Sequence, residues 1–422
     1  MLQAVSPKQL NFLRGSNRKV NILEGSIRSG KTIIALVRWM MFLANAPKTG
    51  ALVMVGRTRD SVWRNMIGPL QDTTLFGALA DDVIGNYGAP TVKIFGRLVH
   101  VLGASDAKSE KVLRGLTVAG AMVDEITTIP EEFFTQLLGR MSVAGAQLFG
   151  TTNPDGPAHW FKKKFLDRIG ASKGSLSHWT RWRFTMEDNP SLSSEYIEEK
   201  KLEFTGLFYK RFIEGLWVAA EGAVFDFWDE QEHVVAWKDL PPMQRYFGCG
   251  IDYGTTHATS AIILGLGIDG VLYFVDEWRY EAADRSMRLN DATITTAIKE
   301  WLPVDHIPHP STLQPEWVII DPAAASLHVE FGTQGVRNVI AANNEVLYGI
   351  RTMSSLMANG KLKVSDRCQG LISEMPGYSW DPAASLRGED KPIKTADDSI
   401  DPARYVVATT ETNWRGLVDL AA

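Results

Sequence analysis

The octapeptide Gly25-Ser26-Ile27-Arg28-Ser29-Gly30-Lys31-Thr32 limits what this chain can fold into more than any other stretch. It fills the pattern G-x-x-x-x-G-K-[ST], and its neighbours supply the context that pattern needs. The apolar run Val20-Asn21-Ile22-Leu23 ahead of it predicts a buried strand, and Thr32 to Met40 behind it carries apolar residues at helical spacing. Strand, glycine loop and helix in that order turn several backbone N–H groups and the positive helix end into one concavity, which suits polyanionic phosphate. Residues Gly25 to Thr32 would therefore line a nucleoside triphosphate, with Lys31 neutralising the β- and γ-phosphates and the Thr32 hydroxyl holding Mg²⁺.

A phosphate loop does not by itself separate motors, kinases and switches, so the accompanying elements decide. Val118-Ala119-Gly120-Ala121-Met122-Val123 reads as a strand buried on both faces, and it ends in Asp124-Glu125 at the mouth of the sheet. Asp124 would hold Mg²⁺ through water, and Glu125 would orient and deprotonate an attacking water. A further strand, Gln147 to Gly150, delivers Thr151-Thr152-Asn153-Pro154 to the same edge, where Thr152 and Asn153 would sense the γ-phosphate; an Asn-Pro turn is the plainer alternative. Upstream, the Gln9 amide would read the adenine edge, against the alternative of a surface loop.

At 422 residues with 45% hydrophobic content the chain implies two or three domains. No apolar run approaches the roughly 20 residues of a membrane span, and Met1 to Pro7 lacks a basic flank followed by an apolar core, so no membrane partner and no secretion are expected. Cys249 and Cys368 are too few for a disulfide framework or a zinc cluster. The net charge of −5 neither demands nor excludes nucleic acid. One basic patch, His159 to Phe184, interleaves Lys162, Lys163, Lys164, Arg168, Lys173, Arg181 and Arg183 with Trp160, Trp179 and Trp182. It would attract a nucleic-acid backbone, or it is a solvated face over buried tryptophans.

After Pro241-Pro242 the pattern changes. Tyr246 to Gly254, Ser260 to Leu266 and Gly270 to Glu277 read as three strands joined by short turns, the first bearing Asp252, as ribonuclease H-like folds begin. A helix is expected from Met287 to Trp301, then a strand, Trp317 to Ile320, ending in Asp321. Near the end, Asp397 to Tyr405 reads as a helix with acids three apart on one face. Carboxylates from strand, strand and helix are costly to gather unless cations lie among them, which predicts two Mg²⁺ or Mn²⁺ ions acting on a phosphodiester.

In its order of elements the chain resembles the large terminase subunits of tailed bacteriophages. The matching residues are Gln9, the loop with Arg28 inside it, Arg114-Gly115, Val123-Asp124-Glu125 and Gly150 to Pro154. Gly206 to Arg211, Gly215 to Val218 and Glu221 to Phe225 resemble the family's junction between domains. The resemblance implies ATP as the nucleotide and an arginine acting in trans on a neighbour's ATP, here Arg114, with Arg28, Arg57 and Arg140 as alternatives. It also implies a nuclease triad of Asp252, Asp321 and Asp401. Asp398 stands where many relatives have histidine and is a candidate fourth ligand; Pro402 replaces a usual alanine; Lys394 would contact the scissile phosphate.

The expected fold is thus α/β: a P-loop ATPase core over 1–174, a lid and junction over 175–225, a linker over 226–240, and a ribonuclease H-like endonuclease over 241–422. The expected function is ATP-driven packaging of double-stranded DNA into a prohead, with cutting of concatemers. The expected partners are the portal protein and a small terminase subunit, the docked form a homo-oligomeric ring, a pentamer, and the setting the host cytoplasm. Two other readings stand beside it: a remodelling ATPase of helicase or repair type whose second half clamps DNA without cutting, and a P-loop switch.

Overall fold

The computed structural model describes residues 5–105, 107–171, 173–254, 257–281, 289–303, 308 and 313–419. Met1 to Ala4, part of the N-terminal stretch read above, lie outside them. The chain divides into two compact units, Met1–Glu198 with Leu207–Ala219 and Leu386–Glu389, and Glu199–Gly206 with Ala220–Ser385 and Asp390–Ala422.

The first unit is built on β1 (Val20–Gly25), β2 (Ala51–Gly56), β3 (Val83–Ile84), β4 (Thr91–Ile94), β5 (Arg97–Gly103), β6 (Val118–Val123), β7 (Gln147–Thr152) and β8 (Trp179–Phe184). They form one sheet in the order β3-β4-β5-β2-β6-β7-β1-β8. All contacts from β5 to β8 are parallel, and β3 and β4 add an antiparallel edge. Every residue of β1 and β6 is buried, which explains why both read as unbroken runs rather than alternating patterns. Helix α1 (Pro7–Gly15) precedes β1, α2 (Lys31–Asn45) follows it, and α3 (Glu131–Arg140) follows β6. Successive residues of β2 point to opposite faces: Leu52 and Met54 join Leu36, Trp39 and Leu43 of α2, whereas Val53 and Val55 join Phe133, Phe134 and Leu137 of α3.

Trp179–Phe184, expected within the lid, is instead the parallel edge strand beside β1. The basic patch is largely spent inside the unit. Lys162 pairs with Asp167 at 2.5 Å, Lys164 with Glu131, and Arg181 with the buried Glu24 at 2.6 Å, while Arg183 donates to the Glu214 carbonyl at 2.8 Å. Trp160 and Trp179 pack with Phe134 and Phe165, and Trp182 meets Phe12 edge-on at 5.6 Å. The tryptophans therefore serve the core, as the plainer of the two expectations had it.

The second unit contains β9 (Val234–Val235), β10 (Met243–Asp252), β11 (Thr259–Gly267), β12 (Leu272–Tyr280), β13 (Val318–Ile320), β14 (Val339–Ala341) and β15 (Leu362–Ser365). Their order is β14-β13-β10-β11-β12-β15-β9. β10, β11 and β12 are antiparallel neighbours, and β13 runs parallel to β10. The helices that matter here are α4 (Asp291–Trp301), α5 (Ala325–Thr333), α6 (Val346–Ala358), α7 (Gln369–Glu374) and α8 (Ile400–Thr409). The helix expected from Met287 begins at Asp291, after Leu289 and the N-cap Asn290; Met287 and Arg288 lie outside the described residues. α8 starts later than the periodicity predicts. Asp397 and Asp398 precede it, so Asp398 and Asp401 do not share a helix face.

α8 lies against β10 at a glycine: a Cβ on Gly250 would stand 2.1 Å from the Pro402 carbonyl oxygen. Gly250→Ala is therefore expected to push α8 away from the sheet and destabilise the second unit by about 1–3 kcal/mol. Scanning calorimetry should show its transition falling by several degrees.

Candidate functional site

Two separate groups of side chains have the makings of a chemical site. In the first unit, β7 lies between β1 and β6. That order places the end of β7 between the loop that follows β1 and the acids that follow β6. Lys31, 5% exposed, donates to the Ser26 carbonyl at 3.0 Å and to Asn153 Oδ1 at 2.5 Å. Asn153 in turn donates from its backbone N–H (3.1 Å) and its Nδ2 (2.9 Å) to the two carboxylate oxygens of Glu125. Lysine, amide and carboxylate thus form one chain of bonds from the start of α2 across the ends of β7 and β6.

Burial sets the electrostatics of this chain. It pushes the Lys31 ammonium below the ordinary lysine range, with Glu125 and then Asp124 acting against it. It pushes the Glu125 carboxyl up; Lys31 opposes that shift, and the neighbouring Asp124 adds to it. Glu125 also sits at φ 47°, a left-handed conformation rare outside glycine and asparagine. Asp124 accepts from the Thr151 hydroxyl at 2.9 Å and from Asn65 Nδ2 at 3.1 Å.

The loop carries the marks of an anion cradle. Gly30 caps α2 in a left-handed conformation, and no side chain caps the helix start. The Ser26 and Ser29 hydroxyls are buried with no hydrogen-bond partner among the described residues, which suits oxygens of a phosphate ligand. The N–H groups of Ser26 and Ile27 bond instead to the Phe184 and Phe212 carbonyls, fixing the loop's outer limb. Arg28, exposed and at φ 54°, has its carbonyl held by Asn189 Nδ2 at 2.8 Å. Thr32 is half-buried in the first turn of α2. The Gln9 amide lies beside the loop, its Nε2 3.0 Å from where a Gly30 Cβ would be, while its Oε1 accepts the Ser6 N–H in a capping box.

Other expected residues stand differently. The Thr152 hydroxyl turns to Thr127 at 3.1 Å, so Thr151 is the hydroxyl at the acids. Arg114 is exposed in the turn before β6, and Arg57 donates to the Thr128 carbonyl at 3.4 Å. Asn65 and Asn189 were not foreseen. They lie far from the motif in sequence and carry no spacing signal.

In the second unit, Ile251 and Ile320 are paired in register on parallel strands, so Asp252 and Asp321 follow at adjacent strand ends. α8 supplies Asp401, 6% exposed. The Tyr405 hydroxyl, one turn along α8, stands 3.0 Å from Asp321 and 3.5 Å from both Asp252 and Asp401. Arg404, almost wholly buried, donates to Asp401 Oδ1 at 2.6 and 3.2 Å, and Lys394 lies 3.8 Å from Asp401 Oδ2. Asp252 is pushed up to about 7, first by burial, then by Asp401 and Asp321. That mutual repulsion is what a divalent cation would relieve, and an all-oxygen donor set suits hard cations. Among the described residues no group of three His, Cys, Asp or Glu is drawn close enough to hold a metal as it stands. The acids surround the Tyr405 hydroxyl instead. Asp398 is not among the acids around that hydroxyl; it pairs with Arg279 at 3.5 Å, though its charge still adds to the upward shift of Asp252.

The architecture is that of a P-loop α/β unit joined in one chain to a ribonuclease H-like unit. A family model described as the terminase large subunit, T4likevirus-type, N-terminal, matches residues 22–232. The large terminase of a thermophilic bacteriophage is 33% identical, with a TM-score of 0.85, covering 96% of this chain and 99% of that one. The same phage protein in complex with ADP matches with a TM-score of 0.82, and in complex with ATP-gamma-S with 0.81. The large terminase subunit of Escherichia phage T5 is 25% identical over 269 residues, which is 62% of this chain but only 56% of the T5 protein. This chain belongs to the large terminase subunit family.

Removing Arg404 would leave Asp401 buried beside two other carboxylates without its closest cation. Arg404→Met is therefore expected to cost about 3–5 kcal/mol, measurable as a lower urea midpoint for the second unit.

Proposed function

We propose that this chain is the motor and nuclease of viral DNA packaging: it hydrolyses ATP in the first unit to move double-stranded DNA into a prohead, and cleaves concatemeric DNA in the second. The observation that carries the ATPase reading is the bonded chain Lys31–Asn153–Glu125 at the mouth of the phosphate loop. Thr32 and Asp124 would hold Mg²⁺, which when bound offsets charge on the phosphates. Glu125, half-buried and with its carboxyl raised, has the character of a base for the attacking water. Lys31 binds the β- and γ-phosphates. A γ-phosphate at Lys31 competes for the ammonium that now engages Asn153, and Asn153 is what orients Glu125. Base and nucleotide are thereby linked through one amide.

For the nuclease, Asp252, Asp321 and Asp401 would hold two Mg²⁺ or Mn²⁺, which supply an activated water and stabilise the leaving oxygen of a phosphodiester. Arg404 and the Tyr405 hydroxyl orient those carboxylates. Lys394, three-quarters exposed beside Asp401, is available to the scissile phosphate. Family membership supports the remaining parts of the reading: a ring on the portal, a small terminase subunit as site-selecting partner, and action in the host cytoplasm. The exposure of Arg114 suits a group that acts on a neighbouring subunit's nucleotide. No helix among the described residues is long and apolar enough to cross a membrane.

Glu125→Gln should lower steady-state ATP turnover by about 100-fold or more while leaving binding of a fluorescent ATP analogue intact. Turnover equal to that of the unaltered protein would remove Glu125 as the base. Incubation of supercoiled plasmid with Mn²⁺ should give nicked and linear products with the unaltered protein and none with Asp252→Asn, at equal ATPase rates. A plasmid left whole by the unaltered protein would instead mark the second unit as a clamp that does not cut.

A further inference from the structure

Helix α8 delivers Asp401 from its second residue, yet its N-terminus has no local cap: Ser399 makes no side-chain bond to the helix. The cap comes from elsewhere in the fold. Glu374, the last residue of α7 and 4% exposed in its side chain, accepts from the Ser399 N–H at 2.8 Å and the Ile400 N–H at 3.2 Å through Oε2. A carboxylate at this helix end is favoured by the helix dipole as well as by the two bonds. Its other oxygen binds Arg279 Nη1 at 2.6 Å.

Arg279, on β12, is the hub of the region. It also pairs with Glu281 at 2.6 Å and with Asp398 at 3.5 Å, and it donates to the Ser399 hydroxyl. Ser399 bonds on to Glu277, whose carboxylate accepts from Ser260 at 3.2 Å and from the Gly370 N–H of α7 at 2.8 Å. Two strands and two helix ends are thus joined within two residues of Asp401. Asp398 stands on the arginine side of this network. The Tyr405 hydroxyl that touches Asp252, Asp321 and Asp401 makes no contact with Asp398.

We infer that Glu374 and Arg279 are positioning residues for Asp401, and that Asp398 is the counter-ion of Arg279 rather than a metal ligand. The inference rests on the two-metal reading proposed above. Metal ligation needs its carboxylates held within about 0.5 Å of the productive geometry, and Asp401 owes that placement to the first turn of α8. Loss of the Glu374 cap lets that turn fray and move the ligand. Loss of the Asp398 charge removes one of three acids around Arg279 and leaves the ligand set whole.

The test is isothermal titration of Mn²⁺ into the full chain, unaltered and as Asp252→Asn, Glu374→Ala, Glu374→Gln and Asp398→Asn, with circular dichroism to confirm folding. Asp398→Asn should keep the unaltered Kd within about threefold. Glu374→Ala should weaken binding by about 10–100-fold, as outer partners of metal ligands do, and Glu374→Gln, which keeps an acceptor for the two N–H groups, should recover most of the loss. An Asp398→Asn protein that is folded but loses Mn²⁺ as completely as Asp252→Asn would overturn the assignment of Asp398. A folded Glu374→Ala protein with unaltered affinity would overturn that of Glu374; if this variant does not fold, the Asp398 result still decides. Equal, absent binding by the unaltered protein and Asp252→Asn would count against the two-metal reading itself.

Discussion

The first unit turns on a single buried ammonium. Lys31 is held by a carbonyl of its own loop and by Asn153, and Asn153 holds both oxygens of Glu125. A buried lysine is stable as a cation only with partners nearby, so the loop, β7 and β6 must end at the same place for any of them to be satisfied. The parallel order with β7 between β1 and β6 meets that condition. The left-handed backbone at Glu125 lies at one of these strand ends, directly after Asp124, where the chain turns out of β6.

The second unit solves the opposite problem, an excess of clustered negative charge. Asp252, Asp321 and Asp401 crowd one hydroxyl, and the Asp252 carboxyl rises to about 7 as a result. Arg404 offsets part of that charge from within α8. Arg279, on the sheet, offsets a neighbouring set of acids, Glu374, Glu281 and Asp398. Lys31 in the first unit and Arg279 in the second meet partners from other elements, which ties chemistry to tertiary packing, whereas Arg404 meets Asp401 within α8.

Much of this was legible along the chain. The loop Gly25 to Thr32 and Asp124-Glu125 follow from local pattern, because a strand buried on both faces and a helix start each leave an unbroken or periodic apolar signature. Asp252 and Asp321 were legible for the same reason, each at the end of an apolar strand. Within the expected lid and junction, Trp179–Phe184 is not legible as part of the sheet, because an edge strand with alternating basic and aromatic residues looks like a surface segment until its pairing with β1 is known. Spacing alone left two readings of the interleaved tryptophans open, and their packing against Phe134, Phe165 and Phe12 decides for the solvated face over a core.

What the amino-acid sequence determined by itself is the set of groups with local signatures: the phosphate loop, the acids after β6, the aspartates at strand ends and the family to which they point. Only the tertiary structure decided which of those groups meet and what holds them. It chose Thr151 over Thr152 beside Asp124, brought in Asn65 and Asn189, and set Asp398 against Arg279 ahead of the helix that carries Asp401. The reason is physical. A hydrogen bond or ion pair between residues a hundred positions apart depends on strand order, register and the closeness of approach that a glycine such as Gly250 permits, and none of these leaves a periodicity in the chain.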